Sequence, residues 1–271
     1  MEDGIKRVQA GDLAVAVSDV GAGSAVVLLH GLACGKRVWF HQIRALRNRF
    51  RVIAYDQRGH GETDAPPVAT DYSGGHLARD LVGVLDALKI ERAAIVGFSL
   101  GGGPALALAA SKPERVSHLV LADVGAGADA PVKIESMARQ WGALIAQGRV
   151  DELVCEMLRS EFFKVYARRN ARCRRHMAAL IRATPMDGLR FTLSEVLAKR
   201  KSLFRLTEPM KSVRVPTLVL AGEHDYVCSK ASHLLAQTIP SAQLKTIKGS
   251  GHMSPLEQPA AFSAALMEFL G

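Results

Sequence analysis

Residues 95–104, "IVGFSLGGGP", place one serine between an apolar run and a set of glycines. Gly97 and Gly101 stand two positions either side of Ser99, a spacing typical of a turn too tight for larger side chains. Upstream, "RAAIVGF" predicts a buried parallel strand, and downstream "LGGGPALALAASKP" predicts a helix that stops at Pro113. A flexible glycine-serine turn would show the same letters, but the flanking strand and helix favour a sharp elbow that presents Ser99.

The composition indicates one ordinary globular domain with an insertion. The chain has 271 residues, of which 48% are hydrophobic, enough to bury a large core. Its start lacks the apolar run and cleavage site of a secretory signal, so we expect a cytoplasmic location. Residues 93–110 approach the length of a membrane span, but Ser99 and several glycines interrupt them, so no transmembrane helix is predicted.

The four cysteines show no pattern of a metal site or a disulfide framework. They are Cys34, Cys155, Cys173 and Cys228, widely separated and without a C-x-x-C pair. We therefore expect buried or idle thiols and no bound metal.

Strands and helices alternate along most of the chain. This pattern predicts an α/β fold with a mostly parallel sheet, helices on both faces and functional loops at the carboxyl ends of the strands. Residues 130–212 depart from it, reading as several helices without a strand. We interpret them as a helical lid inserted between core segments 1–129 and 213–271, with residues 124–131 as the hinge.

A serine hydroxyl becomes nucleophilic only when a base takes its proton and an acid orients that base. Asp225 in "TLVLAGEHDYV" follows a buried strand, and His252 in "IKGSGHMSPLEQP" lies in a loop after the last strand. Together with Ser99 they give the chain order Ser, Asp, His at strand ends, which predicts a catalytic triad. Asp123, also just past a strand, is the alternative acid; otherwise it serves as a capping or hinge residue.

The oxyanion of a tetrahedral intermediate needs hydrogen-bond donors that are already in place. Two backbone N–H groups are predicted to supply them. Leu100 directly follows the nucleophile, and Leu32 follows the "HG" that ends an early apolar strand.

These motifs together resemble the α/β-hydrolase superfamily. They occur in order over nearly the entire chain: "LLHGL", "DQRGHGETD", "GFSLGG", "GEHD" and "GSGHMSPLEQP". The resemblance implies a mainly parallel eight-stranded sheet, a helical cap after the sixth strand, and a Ser99, Asp225, His252 triad that requires no cofactor.

Details of the motifs narrow the resemblance to one branch of the superfamily. Dehalogenases and epoxide hydrolases of this fold use an aspartate where Ser99 stands, so an acyl-serine reaction is implied instead. The loop "HGLACG" also departs from the "HGxP" of epoxide hydrolases, and "YVCSK" lacks the proline that many relatives have soon after the acid. The chain looks most similar to the branch of small esterases, cofactor-free perhydrolases and enol-lactonases.

Two other motifs are assigned no catalytic function. "GLACGK" resembles a P-loop, but its glycines are too close and Arg37 stands where Ser or Thr should bind magnesium. "DQRGHG" is interpreted as a strand-end turn held by hydrogen bonds of Asp56 and Arg58.

The net charge of +9 arises from one segment. Residues 131–211 contain 17 Lys and Arg against 8 Asp and Glu. Residues 167–176, "ARRNARCRRH", are interpreted as a solvated helix face, with a surface for an acidic acyl carrier protein or an anionic substrate as the functional alternative. The segment lacks aromatic residues for stacking and a known binding module, so no nucleic-acid binding is predicted.

The sequence thus predicts a serine hydrolase that cleaves a carboxylic ester or lactone, with a substrate site between sheet and lid. Met137, Trp141 and Phe162 either line that site or pack in the lid core. A carbon–carbon bond hydrolase of a ring-cleavage pathway and a non-catalytic ligand receptor on the same fold are the alternatives.

Overall fold

An eight-stranded sheet runs through the protein, in a computed structural model that describes residues 5–125 and 130–271. The strands are β1 (Ile5–Ala10), β2 (Leu13–Val20), β3 (Ala25–Leu29), β4 (Arg51–Tyr55), β5 (Ala93–Phe98), β6 (Val116–Ala122), β7 (Thr217–Gly222) and β8 (Ala242–Ile247). Their spatial order is β1-β2-β4-β3-β5-β6-β7-β8. Strand β2 pairs antiparallel with β1 and β4, and every other pair is parallel. The predicted mostly parallel, eight-stranded sheet is confirmed.

The register of the central strands brings the functional loops to one edge. Strand β5 pairs with β3 up to Gly97 opposite Leu29, and with β6 up to Phe98 opposite Ala122. All three strands point the same way, so the loops that follow them begin side by side. Every residue of β5 is buried, which explains its continuous apolar sequence.

Twelve α-helices complete the described part of the chain. They are α1 (Phe40–Leu46), α2 (Gly74–Ala87), α3 (Gly102–Ser111), α4 (Pro131–Ala146), α5 (Val150–Arg159), α6 (Lys164–Arg168), α7 (Ala171–Arg182), α8 (Met186–Phe191), α9 (Thr207–Ser212), α10 (Ser229–Thr238), α11 (Ser254–Glu257) and α12 (Pro259–Leu270). A π-helical turn, Thr192–Leu197, continues α8.

The sheet is covered on both faces by apolar helix surfaces. One core joins α2, α3 and α10 to the sheet, through residues such as Leu81, Ala105 and Leu235. The other joins α1 and α12 to the sheet and continues without interruption into α4, α5 and α7. Burial of these amphipathic faces accounts for the predicted two-sided arrangement.

Residues 130–212, all within the described ranges, form helices and turns without a strand, as the sequence predicts. The stretch "VDELVCEMLRSEFFKVYARR", residues 150–169, predicts one continuous helix by its sequence, and this prediction is wrong, because two helices form there. Helix α5 ends where Ser160 turns to extended backbone and its hydroxyl donates to the Met157 carbonyl, and α6 begins four residues later. The assignment of this segment as a lid stays a prediction, and residues 126–129 of the predicted hinge lie outside the described residues.

Two further expectations concern membranes and thiols. No helix among the described residues has the length and apolar content needed to cross a membrane. All four cysteines are free, and Cys34 and Cys228 are buried.

Candidate active site

Ser99 occupies a sharp turn between β5 and α3. Its φ of 50° lies in the left-handed region, which residues with a side chain rarely adopt. The flanking glycines make that turn sterically possible. A Cβ on Gly97 would lie 2.5 Å from the carbonyl oxygen of Gly101, and a Cβ on Gly101 would lie 2.6 Å from Leu29. The elbow predicted from the spacing is therefore present.

The structure brings Ser99, His252 and Asp225 together. His252 follows β8 and Asp225 follows β7, so both lie at the same sheet edge as the elbow. Ser99 Oγ is 2.9 Å from His252 Nε2, and His252 Nδ1 is 2.8 Å from Asp225 Oδ2. This hydrogen-bonded chain can carry a proton from the hydroxyl to the imidazole while the carboxylate holds the ring.

Asp225 is suited to remain ionised in this chain. Burial by itself raises the pKa of Asp225, but the opposing charge and the hydrogen bond of His252 bring it below the ordinary value. An ionised carboxylate favours the tautomer in which His252 Nδ1 carries the proton and Nε2 is free to accept one.

Asp123, the alternative acid, is fully buried but its carboxyl group is engaged elsewhere. Its Oδ1 accepts from the Gly222 N–H at 2.7 Å, and its Oδ2 accepts from the Ser254 hydroxyl. Burial and the neighbouring Asp225 charge hold the pKa of Asp123 well above its ordinary value. The geometry thus favours Asp225 as the partner of His252.

Cys228 packs against Asp123 and His252. Its thiol lies 3.6 Å from His252 Nδ1 and donates to the Asp123 carbonyl at 3.2 Å. Burial raises the pKa of the Cys228 thiol well above the ordinary value, so it stays protonated. Ligand atoms of Asp225, Cys228 and His252 lie within 4.8 Å of one another and could hold a metal ion, but a thiol so protonated and an Nδ1 bonded to Asp225 fit a proton relay better.

The two predicted oxyanion donors flank the serine. Leu32 and Leu100 line the same narrow cavity as Ser99 and His252. Among the described residues, no acceptor is bonded to either backbone N–H. Gly31 keeps this space open, because a Cβ there would lie 2.8 Å from the Phe98 ring and 3.2 Å from the Ser99 Cβ.

Aromatic and aliphatic side chains enclose the narrow cavity, which measures about 30 Å³. The rings of Phe98 and Phe162 lie 5.5 Å and 5.1 Å from the His252 ring, between centroids. Met137 and Phe162 line the cavity. Trp141 does not; it packs behind Phe162 with ring centroids 6.4 Å apart. A larger cleft of about 670 Å³ meets the cavity at Ser99.

Comparison with known proteins identifies the family. The sequence pattern of the alpha/beta hydrolase fold matches residues 24–259. The chain belongs to this family. It is 30% identical to the putative carbamate hydrolase RutD of Caulobacter sp. strain K31, over 90% of each protein. It is 32% identical to a 2-hydroxy-6-oxononadienedioate/2-hydroxy-6-oxononatrienedioate hydrolase of Paraburkholderia phymatum, over 96% of this chain and 92% of that protein.

A solved α/β hydrolase shows the same architecture. The enol-lactonase of Burkholderia xenovorans LB400 superposes with a TM-score of 0.84 at 26% sequence identity, over 98% of this chain and 99% of that one. The resemblance and the fold class predicted from the sequence motifs are confirmed.

The "DQRGHG" motif of this α/β hydrolase forms a structural turn. Asp56 accepts hydrogen bonds from the backbone N–H groups of Lys36 and Glu62 and from the Lys36 ammonium group. Arg58 makes two hydrogen bonds with Asp80 of α2, at 2.9 and 2.7 Å. Both side chains are buried in these contacts, so the structural interpretation is supported.

The basic segment of residues 167–176 lies on α6 and α7. Arg168, Arg174 and Arg175 are exposed. Arg169 is exposed as well, and its guanidinium donates to the backbone carbonyl of Glu257, just after the loop that carries His252. This arginine therefore has a structural contact that the sequence does not reveal.

One functional candidate has no sequence signal. Arg200 lines the narrow cavity together with Ser99 and His252. It stands in the run "KRK" after the π-helical turn, where its sequence neighbours Lys199 and Lys201 are exposed. Only the folded path of the chain around residues 192–203 distinguishes Arg200 from them.

Proposed function

We propose that this α/β hydrolase cleaves a carboxylic ester or lactone through an acyl-serine intermediate. One observation carries the proposal: Ser99, on its strained turn, is 2.9 Å from His252, which is in turn 2.8 Å from Asp225. A nucleophile, a base and an orienting acid in this order match the requirements of acyl transfer.

The reaction follows from the geometry. His252 Nε2 takes the proton of the Ser99 hydroxyl as the oxygen attacks the substrate carbonyl. The N–H groups of Leu32 and Leu100 stabilise the resulting oxyanion. The protonated His252 then gives its proton to the departing alkoxide, leaving an acyl-serine. A water molecule, deprotonated by His252, attacks this ester and releases the acid and the free serine.

The sizes of the two adjoining spaces suggest which part of the substrate each one holds. A cavity of about 30 Å³ has room for little more than one or two waters, whereas the adjoining cleft of about 670 Å³ lies in the range of small-molecule sites. We infer that a compact part of the ester or lactone occupies the cavity and the bulk of the substrate occupies the cleft.

An acidic acyl carrier protein is the partner we propose for the exposed arginines of α6 and α7. Helix α6 contacts α11, which begins directly after His252, α7 packs on α6, and Arg169 bonds to Glu257 of α11. A carrier docked on this basic surface would hold its acyl group near the catalytic edge.

The test of the proposed function is turnover of 4-nitrophenyl acetate, butyrate and octanoate by wild type and by Ser99→Ala. We expect many turnovers for wild type and a loss of at least about a thousandfold in kcat for the variant. Ser111→Ala, an exposed serine at the end of α3, is the matched control and should behave like wild type. Activity that survives Ser99→Ala would contradict the acyl-serine mechanism.

The two alternatives make different predictions in the same assay. A ligand receptor would bind small molecules without turnover, and Ser99→Ala would leave its affinity unchanged. A carbon–carbon bond hydrolase would use the same three residues but turn over esters far more slowly than a β-diketone-type substrate. Efficient ester turnover therefore separates the proposed function from both.

A further inference from the structure

Arg200 lies where the catalytic cavity and the larger cleft meet. Five residues line both spaces: Ser99, Leu100, Ile134, Leu197 and Arg200. A substrate that reaches from the cleft to the Ser99 hydroxyl must pass this position. The guanidinium is therefore placed to contact the substrate close to the bond that breaks.

The surroundings of Arg200 leave its charge uncompensated. Within the described residues, no hydrogen bond or ion pair joins it to a carboxylate, whereas the adjacent Lys199 is paired with Glu195. Among the ionisable groups that the structure describes, the one whose charge could stabilise the Arg200 cation is the Cys228 thiol. Burial keeps this thiol protonated and therefore neutral. Burial also lowers the pKa of Arg200, as expected for a cation removed from water without a partner.

The rest of the cavity lining cannot supply the missing anion. Apart from Ser99, His252 and Arg200, the described lining residues are apolar or glycine: Gly31, Leu32, Cys34, Phe98, Leu100, Ile134, Met137, Phe162, Phe163, Leu197 and Met253. A guanidinium in such surroundings strongly favours a carboxylate that can accept two parallel hydrogen bonds.

We propose that Arg200 binds a carboxylate of the substrate, so that the preferred ester or lactone carries a second, free acid group. This inference rests on the proposed function for the reaction itself, but the anion site is a separate claim. The cation would orient the substrate and select it against neutral esters of the same length.

The experiment compares two esters of equal acyl length, mono-4-nitrophenyl adipate and 4-nitrophenyl hexanoate. In Arg200→Gln we expect the loss in kcat/KM to be about 10- to 100-fold larger on the adipate ester than on the hexanoate ester. Arg205→Gln removes the same charge from an exposed residue outside the cavity, and should leave both values unchanged. Arg200→Lys should recover part of the adipate activity.

A binding measurement tests the anion site without turnover. Calorimetric titration with adipate should give a Kd at least about tenfold weaker for Arg200→Gln than for wild type, and titration with the neutral hexanamide should show no such difference. Equal losses on both esters, or equal adipate affinity in both proteins, would overturn the proposal. Adipate binding that depends on Arg200, with no hydrolysis of either ester by wild type, would refute the proposed function and leave the anion site standing.

Discussion

Asp123 and Asp225 are both almost fully buried, and the ionisation of each carboxyl group affects that of the other. Two such carboxyl groups in an apolar interior resist being ionised together. Burial and the charge of Asp225 raise the pKa of Asp123, while His252 lowers that of Asp225 despite its burial. Asp225 is therefore the member of the pair that ionises first, and Asp123 keeps its proton to higher pH.

Replacing Asp123 should do little. Asp123→Asn keeps the shape and an oxygen that accepts from the Gly222 N–H, and its amide NH2 can donate to the Ser254 hydroxyl at the position of the other carboxyl oxygen. We expect kcat for ester hydrolysis to stay within about threefold of wild type. Asp225→Asn removes the charge that orients His252 and should lower kcat by about a thousandfold or more. A larger loss for Asp123→Asn than for Asp225→Asn, measured at pH 7, would show that the acid is Asp123.

The elbow glycines make a prediction about stability. Gly101→Ala forces a Cβ to within 2.6 Å of Leu29 and should reduce the free energy of unfolding by about 1–3 kcal/mol. Gly103→Ala, two residues along in α3, meets no atom within 4 Å and should leave stability unchanged or raise it by up to about 1 kcal/mol. Urea unfolding of both variants checks this difference, and equal destabilisation would contradict it.

Much of this site could be predicted because its signals are local. Ser99 is marked by glycines two residues away, Asp225 comes shortly after the buried strand β7, and His252 lies in a Gly/Ser-rich loop after the last strand. Arg200 could not be predicted, since its importance comes from the path of an irregular segment over the sheet. The raised pKa of Asp123 likewise depends on burial and on the charge of a residue 102 positions away. The lid boundaries and the cytoplasmic location stay predictions.

The buried His60 should make the protein sensitive to acid. Burial, and then His30, lower the pKa of His60 from 6.5 to about 3. Between these values the unfolded chain binds a proton that the folded protein does not, so stability falls as the pH drops from 6.5 towards 3, by up to about 1.4 kcal/mol per pH unit. Above pH 6.5 this contribution is fully present.

A variant can isolate that contribution. His60→Asn removes the titrating ring while its amide can still donate to the Arg58 carbonyl, as Nδ1 does at 3.0 Å. We expect a shallower loss of unfolding free energy between pH 6.5 and 4, measured by urea unfolding at several pH values. His233→Asn, at an exposed histidine, is the control and should leave the slope unchanged. An unchanged slope in His60→Asn would show that other groups govern the acid transition.

The basic surface on α7 should affect the turnover of a macromolecular substrate and not that of a small one. Arg174 and Arg175 are exposed and do not line the catalytic cavity, so replacing both with Gln should leave kcat/KM for 4-nitrophenyl butyrate within about twofold. For an acyl group on an acidic carrier protein, kcat/KM should fall about tenfold at low salt and become less dependent on salt, because these charges act on the encounter rate.

Arg169 is left intact, since its contact with Glu257 supports the His252 loop. Replacing the exposed Arg44 and Arg47, in and directly after α1, with Gln removes the same charge. This control should leave kcat/KM unchanged for both substrates. Equal effects of the two double variants on the carrier-bound substrate would mean that net charge alone, and not a docking surface on α7, attracts the carrier.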